Sequence, residues 1–174
     1  VPTTKTLSPP AQNVGPNLII NGDFESGNTG FSTEYVFSPS AILNPATYDV
    51  LSNPNSAHPS AASFGDHTSG SGLMMALNGA DVPGQVVWSQ TVPVVTNTDY
   101  EFSAWITSWF LILPAQLEFR INGSPIGTFT TTRASGVWEQ FAVGWNSGNS
   151  TSALIEIVNS NTSYSGNDLA IDDL

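Results

Sequence analysis

From residue 73 onward, apolar and polar positions take turns along the chain. A period of two is the period at which strand side chains pass from one sheet face to the other. It predicts strands at Leu73–Leu77, Val86–Val94, Tyr100–Trp109, Ala115–Ile121, Pro125–Thr131, Val137–Trp145, Ala153–Asn159 and Leu169–Leu174. Two earlier runs, Asn17–Asn21 and Phe31–Phe37, read as short strands. Residues 38–72 read as one long loop that closes on GDHTSGSG at 65–72. Asn78-Gly79 and Asn122-Gly123 are hairpin signals, because a type I′ turn needs positive φ at both central residues. About nine or ten strands with turns roughly every 8–12 residues predict an all-β fold. The expected architecture is an antiparallel β-sandwich, a jelly roll, over 17–174. Residues 1–16, with prolines at 2, 9, 10 and 16, read as an extended N-terminal arm.

Alternation also assigns faces. Tyr100, Phe102, Ala104 and Ile106 share one side of their strand, and Glu101, Ser103, Trp105, Thr107 and Trp109 share the other. In the next strand Leu117, Phe119 and Ile121 look inward, while Gln116, Glu118 and Arg120 look outward. The expectation is one sheet whose outer face carries two tryptophans, an acid, an arginine and an amide. Trp88, Trp138 and Trp145, with apolar neighbours, read as core.

Composition narrows the function. The 174 residues include 3 Lys and Arg against 14 Asp and Glu, a formal charge of −11. Phosphate neutralisation needs clustered Lys and Arg, so nucleic acid is excluded as a partner. No apolar run reaches the roughly 20 residues of a membrane helix, so no membrane insertion is expected. Only 10% of residues are charged and 40% are hydrophobic, which is enough for a core. There are no cysteines, hence no disulfide and no thiolate metal site. Abundant Ser, Thr, Asn and Gly with a single lysine, Lys5, suit a secreted, extracellular or cell-surface protein. Val1 in place of an initiator Met reads as a processed chain. Asn122, Asn149 and Asn161 head N-x-S/T triplets and are glycosylation candidates in turns.

Three segments resemble carbohydrate-binding modules that accompany xylanases and laminarinases. They are NLIINGDFESG at 17–27, VVWSQTVPVVTNTDYEFSAWI at 86–106 and LAIDDL at 169–174. Related modules occur in bacterial surface proteins. The resemblance implies a jelly roll, non-catalytic glycan binding, and a structural calcium ion where the first and last strands meet. It implies Glu25 and Asp172 as calcium ligands, with Asp66 of the Gly-rich loop as a third and Asp23 a weaker candidate. Oxygen-only ligation suits that ion. Sugar rings stack on flat aromatic faces, so the expected glycan site is Trp105 and Trp109 with Gln116, Glu118 and Arg120. There is no GxSxG elbow and no cysteine nucleophile. His58 and His67 stand apart in loops, so no enzyme activity is expected.

Two functions follow. The first is a module that binds an extracellular polysaccharide. The alternative is a self-assembling subunit of a filament or surface layer, in which the arm reaches a neighbouring copy as a donor strand.

Overall fold

The computed structural model describes residues 15–110, 112–161, 163 and 165–174. The arm reading lies outside the described residues, apart from Gly15 and Pro16.

The described residues form ten strands: β1 (Val36–Phe37), β2 (Thr47–Leu51), β3 (Met74–Asn78), β4 (Val86–Pro93), β5 (Asp99–Ser108), β6 (Gln116–Ile121), β7 (Ser124–Thr130), β8 (Glu139–Asn146), β9 (Ser152–Asn159) and β10 (Leu169–Asp172). They form a six-stranded sheet, β1-β2-β3-β10-β5-β8, and a four-stranded sheet, β4-β9-β6-β7. All pairs are antiparallel except β1 with β2. The only helical turn among the described residues is a 3-10 turn at Pro54–Ser56. The all-β sandwich read from the pattern is the fold observed.

The main core fills the space between the sheets. Phe102, Ala104 and Ile106 of β5 meet Leu117, Phe119 and Ile121 of β6 and Ile155 and Ile157 of β9. Phe119 and Phe141 stack across the sheets with centroids 3.7 Å apart and planes within 6°. Each such side chain contributes about 1.5–3 kcal/mol of burial. Trp88 is buried here, while Trp145 is half-buried at the edge.

A second core lies on the outer face of the six-stranded sheet. Met74 and Ala76 of β3, Ala170 of β10 and Leu51 of β2 pack there under Ile42, Ala57 and Ala61. β3 and β10 are therefore buried on both faces, which is why MMAL and LAI read as unbroken apolar runs.

Four expectations are corrected. Asn17–Asn21 is not a strand. Asn17 Oδ1 accepts from the Ile19 N–H at 3.0 Å, and Ile20 exchanges two hydrogen bonds with the Gln90 amide, so side chains replace the ladder. Within Phe31–Phe37 only Val36–Phe37 is a strand. The 38–72 loop contains β2, which pairs along β3. Asn78-Gly79 makes no hairpin, since β3 and β4 belong to different sheets. Gly79 is instead a close approach, where a Cβ would lie 2.1 Å from the Asn167 carbonyl oxygen. Asn122-Gly123 is the tight β6–β7 turn, with φ of 52° and 76°.

Candidate functional site

The second core covers only part of the outer sheet face. Beyond it lie Trp105 and Ser103 of β5, with Gln140 and Ala142 directly across on β8. The loop 65–72 returns over Trp105. The imidazole of His67 stacks on the indole, with centroids 3.8 Å apart and planes within 15°. The Trp138 ring stands edge-on to His67 at 5.9 Å and its indole N–H donates to the Gly65 carbonyl at 3.3 Å. A half-exposed three-ring surface results, bordered by the exposed Gln140.

Carboxylates hold that loop. Asp172, which pairs with Trp105 on β10, accepts from the backbone N–H groups of His67 at 2.8 Å and Thr68 at 3.2 Å. Asp173 accepts from His67 Nδ1 at 2.6 Å. Asp66 accepts from the N–H groups of Ser69 at 2.7 Å and Gly72 at 2.6 Å. Glu25 accepts from the Leu73 N–H at 2.7 Å. Glu25, Asp66 and Asp172 thus brace one loop through its backbone N–H groups. Burial and the neighbouring Asp173 charge push the Asp172 carboxyl up to about 6, although three backbone N–H groups pull it down. Burial works the same way on Asp66, but the N–H groups of Ser69 and Gly72 outweigh it and hold that carboxyl below its ordinary value. Among the described residues no three His, Asp or Glu side chains converge as a metal cluster. The donor set is all oxygen, and the fully buried Asp172 lies beside the like charge of Asp173. A divalent cation joining these acids would relieve that excess charge.

The expected glycan set does not hold together. Trp109 is 1% exposed, and its indole N–H donates to the Leu77 carbonyl at 2.9 Å. It is the centre of the second core, because the chain turns under the 54–64 segment just after β5. Gln116, Glu118 and Arg120 face outward as expected, but on β6 of the other sheet. There Arg120 Nε donates to Glu118, and no aromatic ring stands among the outward Ser89, Thr91, Leu154 and Glu156. Sheet membership depends on long-range pairing, which local alternation does not carry. Trp105 does lie on an outer face, but His67 covers its flat side. Trp138 is part of this surface and only half-buried. His67 was visible in the sequence only as a loop histidine beside Asp66.

The three sequon asparagines differ. Asn149 is exposed. The Asn122 amide bridges to Ser152 and Leu154, and the Asn161 amide bonds to Pro114 and Ser163.

No protein-family model and no curated protein sequence matches this chain. Solved structures do match. The CBM22-1 xylan-binding domain of Paenibacillus barcinonensis Xyn10C has a TM-score of 0.57 at 15% identity, over 87% of each chain. TmCBM61 in complex with β-1,4-galactotriose has a TM-score of 0.58 at 16% identity, over 91% of this chain and 96% of that one. A cyclase from Fischerella sp. TAU has a TM-score of 0.56 at 13% identity, over 88% and 92%. The fold is that of the jelly-roll carbohydrate-binding modules, as the three motifs implied. The cyclase shares it, so the chemistry rests on the site.

Proposed function

We propose that the chain is a non-catalytic carbohydrate-binding module, secreted or displayed at a cell surface, that takes polysaccharide at Trp105, His67 and Trp138. One observation carries this reading: a half-exposed aromatic surface of Trp105, the His67 stacked on it and Trp138, held by a braced loop and flanked by an amide. Rings of this kind meet sugar C–H faces, and Gln140 offers both a donor and an acceptor to hydroxyls. Calcium at Glu25, Asp66 and Asp172 would brace the loop further. The test is electrophoresis through gels holding xylan, β-1,4-galactan or laminarin, with calcium and with chelator. At least one polysaccharide should retard the protein. Trp105→Ala should run freely, Arg120→Ala should run as wild type, and chelation should weaken retardation. Free migration in all three gels would overturn the binding reading; equal retardation of Trp105→Ala would overturn the site. If the chelator has no effect, the ion is not part of it.

A second reading, the filament subunit, is favoured by one observation. Among the described residues, one end of the sandwich holds a cavity of about 1610 Å³, lined by Val92, Tyr100, Phe102, Ile155 and Trp145 and reaching Gly15 and Pro16. On this reading a second copy supplies what closes it, and the full chain sediments as a polymer while a chain lacking residues 1–14 sediments as a monomer. A full chain that stays monomeric at high concentration removes this reading.

A further inference from the structure

We propose that a second, smaller cavity, at the opposite end of β10 from Asp172, takes the terminal unit of a sugar chain between Asp168, His58 and Phe110. This rests on the carbohydrate reading and adds a contact to it. The cavity forms where the segments before and after β2, the end of β3, and the segments after β5 and before β10 meet. Its volume is about 160 Å³, the scale of a single ring. Pockets for drug-sized ligands start at roughly 300 Å³.

Among the polar groups that line it are a carboxylate and an imidazole. Asp168 is 5% exposed, and its Oδ1 accepts from the Gly79 N–H at 3.0 Å. The hydrogen bonds among the described residues reach this carboxylate only at Oδ1. His58 Nδ1 accepts from the Ser60 N–H at 3.2 Å, which puts the proton of the neutral ring on Nε2. Burial lowers the His58 pKa, so the neutral ring prevails at neutral pH. A hydroxyl both donates and accepts, so adjacent hydroxyls satisfy Asp168 and His58 together. Once ionised, Asp168 would repel a carboxylate or phosphate. An ammonium would leave the imidazole N–H without an acceptor. Phe110 and Leu43 give the apolar wall that a sugar's C–H groups need.

The wall is preformed. Gly166 has φ +86°, and a Cβ there would lie 2.7 Å from the Leu113 nitrogen. The Asn167 amide donates to the Ala80 carbonyl at 3.0 Å. A preformed cavity loses little ordering entropy on binding. Asp168 lies four residues from Asp172, about 13 Å along a strand, so this cavity is separate from Trp105.

The experiment is an NMR titration of the ¹⁵N-labelled full chain with methyl β-xyloside, methyl β-galactoside and methyl β-glucoside, up to roughly 0.1 M each, far above the millimolar range of weak sites. At least one should shift the amides of Gly79, Gly166 and Asp168 saturably. Asp168→Asn keeps the acceptor for Gly79 and should weaken binding roughly tenfold, about 1.4 kcal/mol. His58→Ala should do the same should the first variant fail to fold, and Trp105→Ala should leave the shifts unchanged. If no glycoside moves these amides, or if Asp168→Asn binds as tightly, the cavity proposal is wrong. Shifts confined to Trp105 and its neighbours would remove the cavity while leaving the carbohydrate reading intact.

Discussion

Trp109→Ala is expected to destabilise the fold by about 3–5 kcal/mol, the range for a buried Phe or Trp cut to Ala. The indole is 1% exposed and sits among Ile42, Leu51, Met74, Ala76 and Ala170. Its removal leaves a cavity beneath the 54–64 segment. It also leaves the Leu77 carbonyl without the indole N–H that bonds it. Trp105→Ala, four positions earlier, should cost about 1 kcal/mol or less, in line with substitutions near a surface. Urea unfolding of the two variants gives the comparison directly. Equal midpoints would mean that Trp109 is not the anchor of a second core. The two tryptophans should thus separate cleanly, Trp109 moving stability and Trp105 moving sugar retention.

The second large effect is on pH dependence. Burial raises the Asp168 carboxyl from 3.8 to about 7, against the Gly79 N–H that pulls it down. The folded state therefore holds a proton that the unfolded state releases between these values. Stability from this group is fully present below about pH 3.8 and is lost as the pH rises through about 7. At about 1.4 kcal/mol per unit the loss is of order a few kcal/mol. Tyr35, which senses the Asp168 charge, stays neutral throughout, its pKa raised by burial. His58 acts in the opposite direction and Asp172 in the same one, so the clean measurement is a difference. Asp168→Asn cannot lose that proton. Melting temperatures of wild type and variant should lie closer together near pH 5 and diverge towards pH 8, with wild type falling further. A constant gap across that range would refute the raised carboxyl.

How much of this was legible in the sequence depends on the range of the interaction involved. Period two placed the strands from β3 to β10 within a few residues, because each alternation is local. The Asn122-Gly123 turn was legible for the same reason: two positive φ angles select those residues. Asn78-Gly79 looked identical and was not a turn, since its glycine answers to Asn167, distant in sequence. NLIIN has strand composition, yet Asn17 and Gln90 side chains take its backbone groups. The outward direction of Gln116, Glu118 and Arg120 was legible, but their sheet was not. Trp105 and Trp109 share a parity, and only the covering segment at 54–64 separates a surface ring from a buried one. Asp168 gave no signal at all, being one acid among 14.

The place of β10 in the six-stranded sheet also bears on the order in which the chain can fold. β10 lies between β3 and β5, although it follows the other nine described strands in sequence. Residues 169–171 pair with 75–77, and residues 169–172 with 105–108. A nascent chain emerging from the N-terminus can form β2 with β3, β6 with β7 and β5 with β8. It cannot join the first of these to the last until Leu169–Asp172 has been made. Until then the flanks of β3 and β5 are unpaired edges, and Met74, Ala76 and Trp109 wait for Ala170. Contacts of such long sequence separation slow folding and prolong the exposure of those edges. A ribosome stalled before Leu169 would therefore hold two half-sheets with open, adhesive margins.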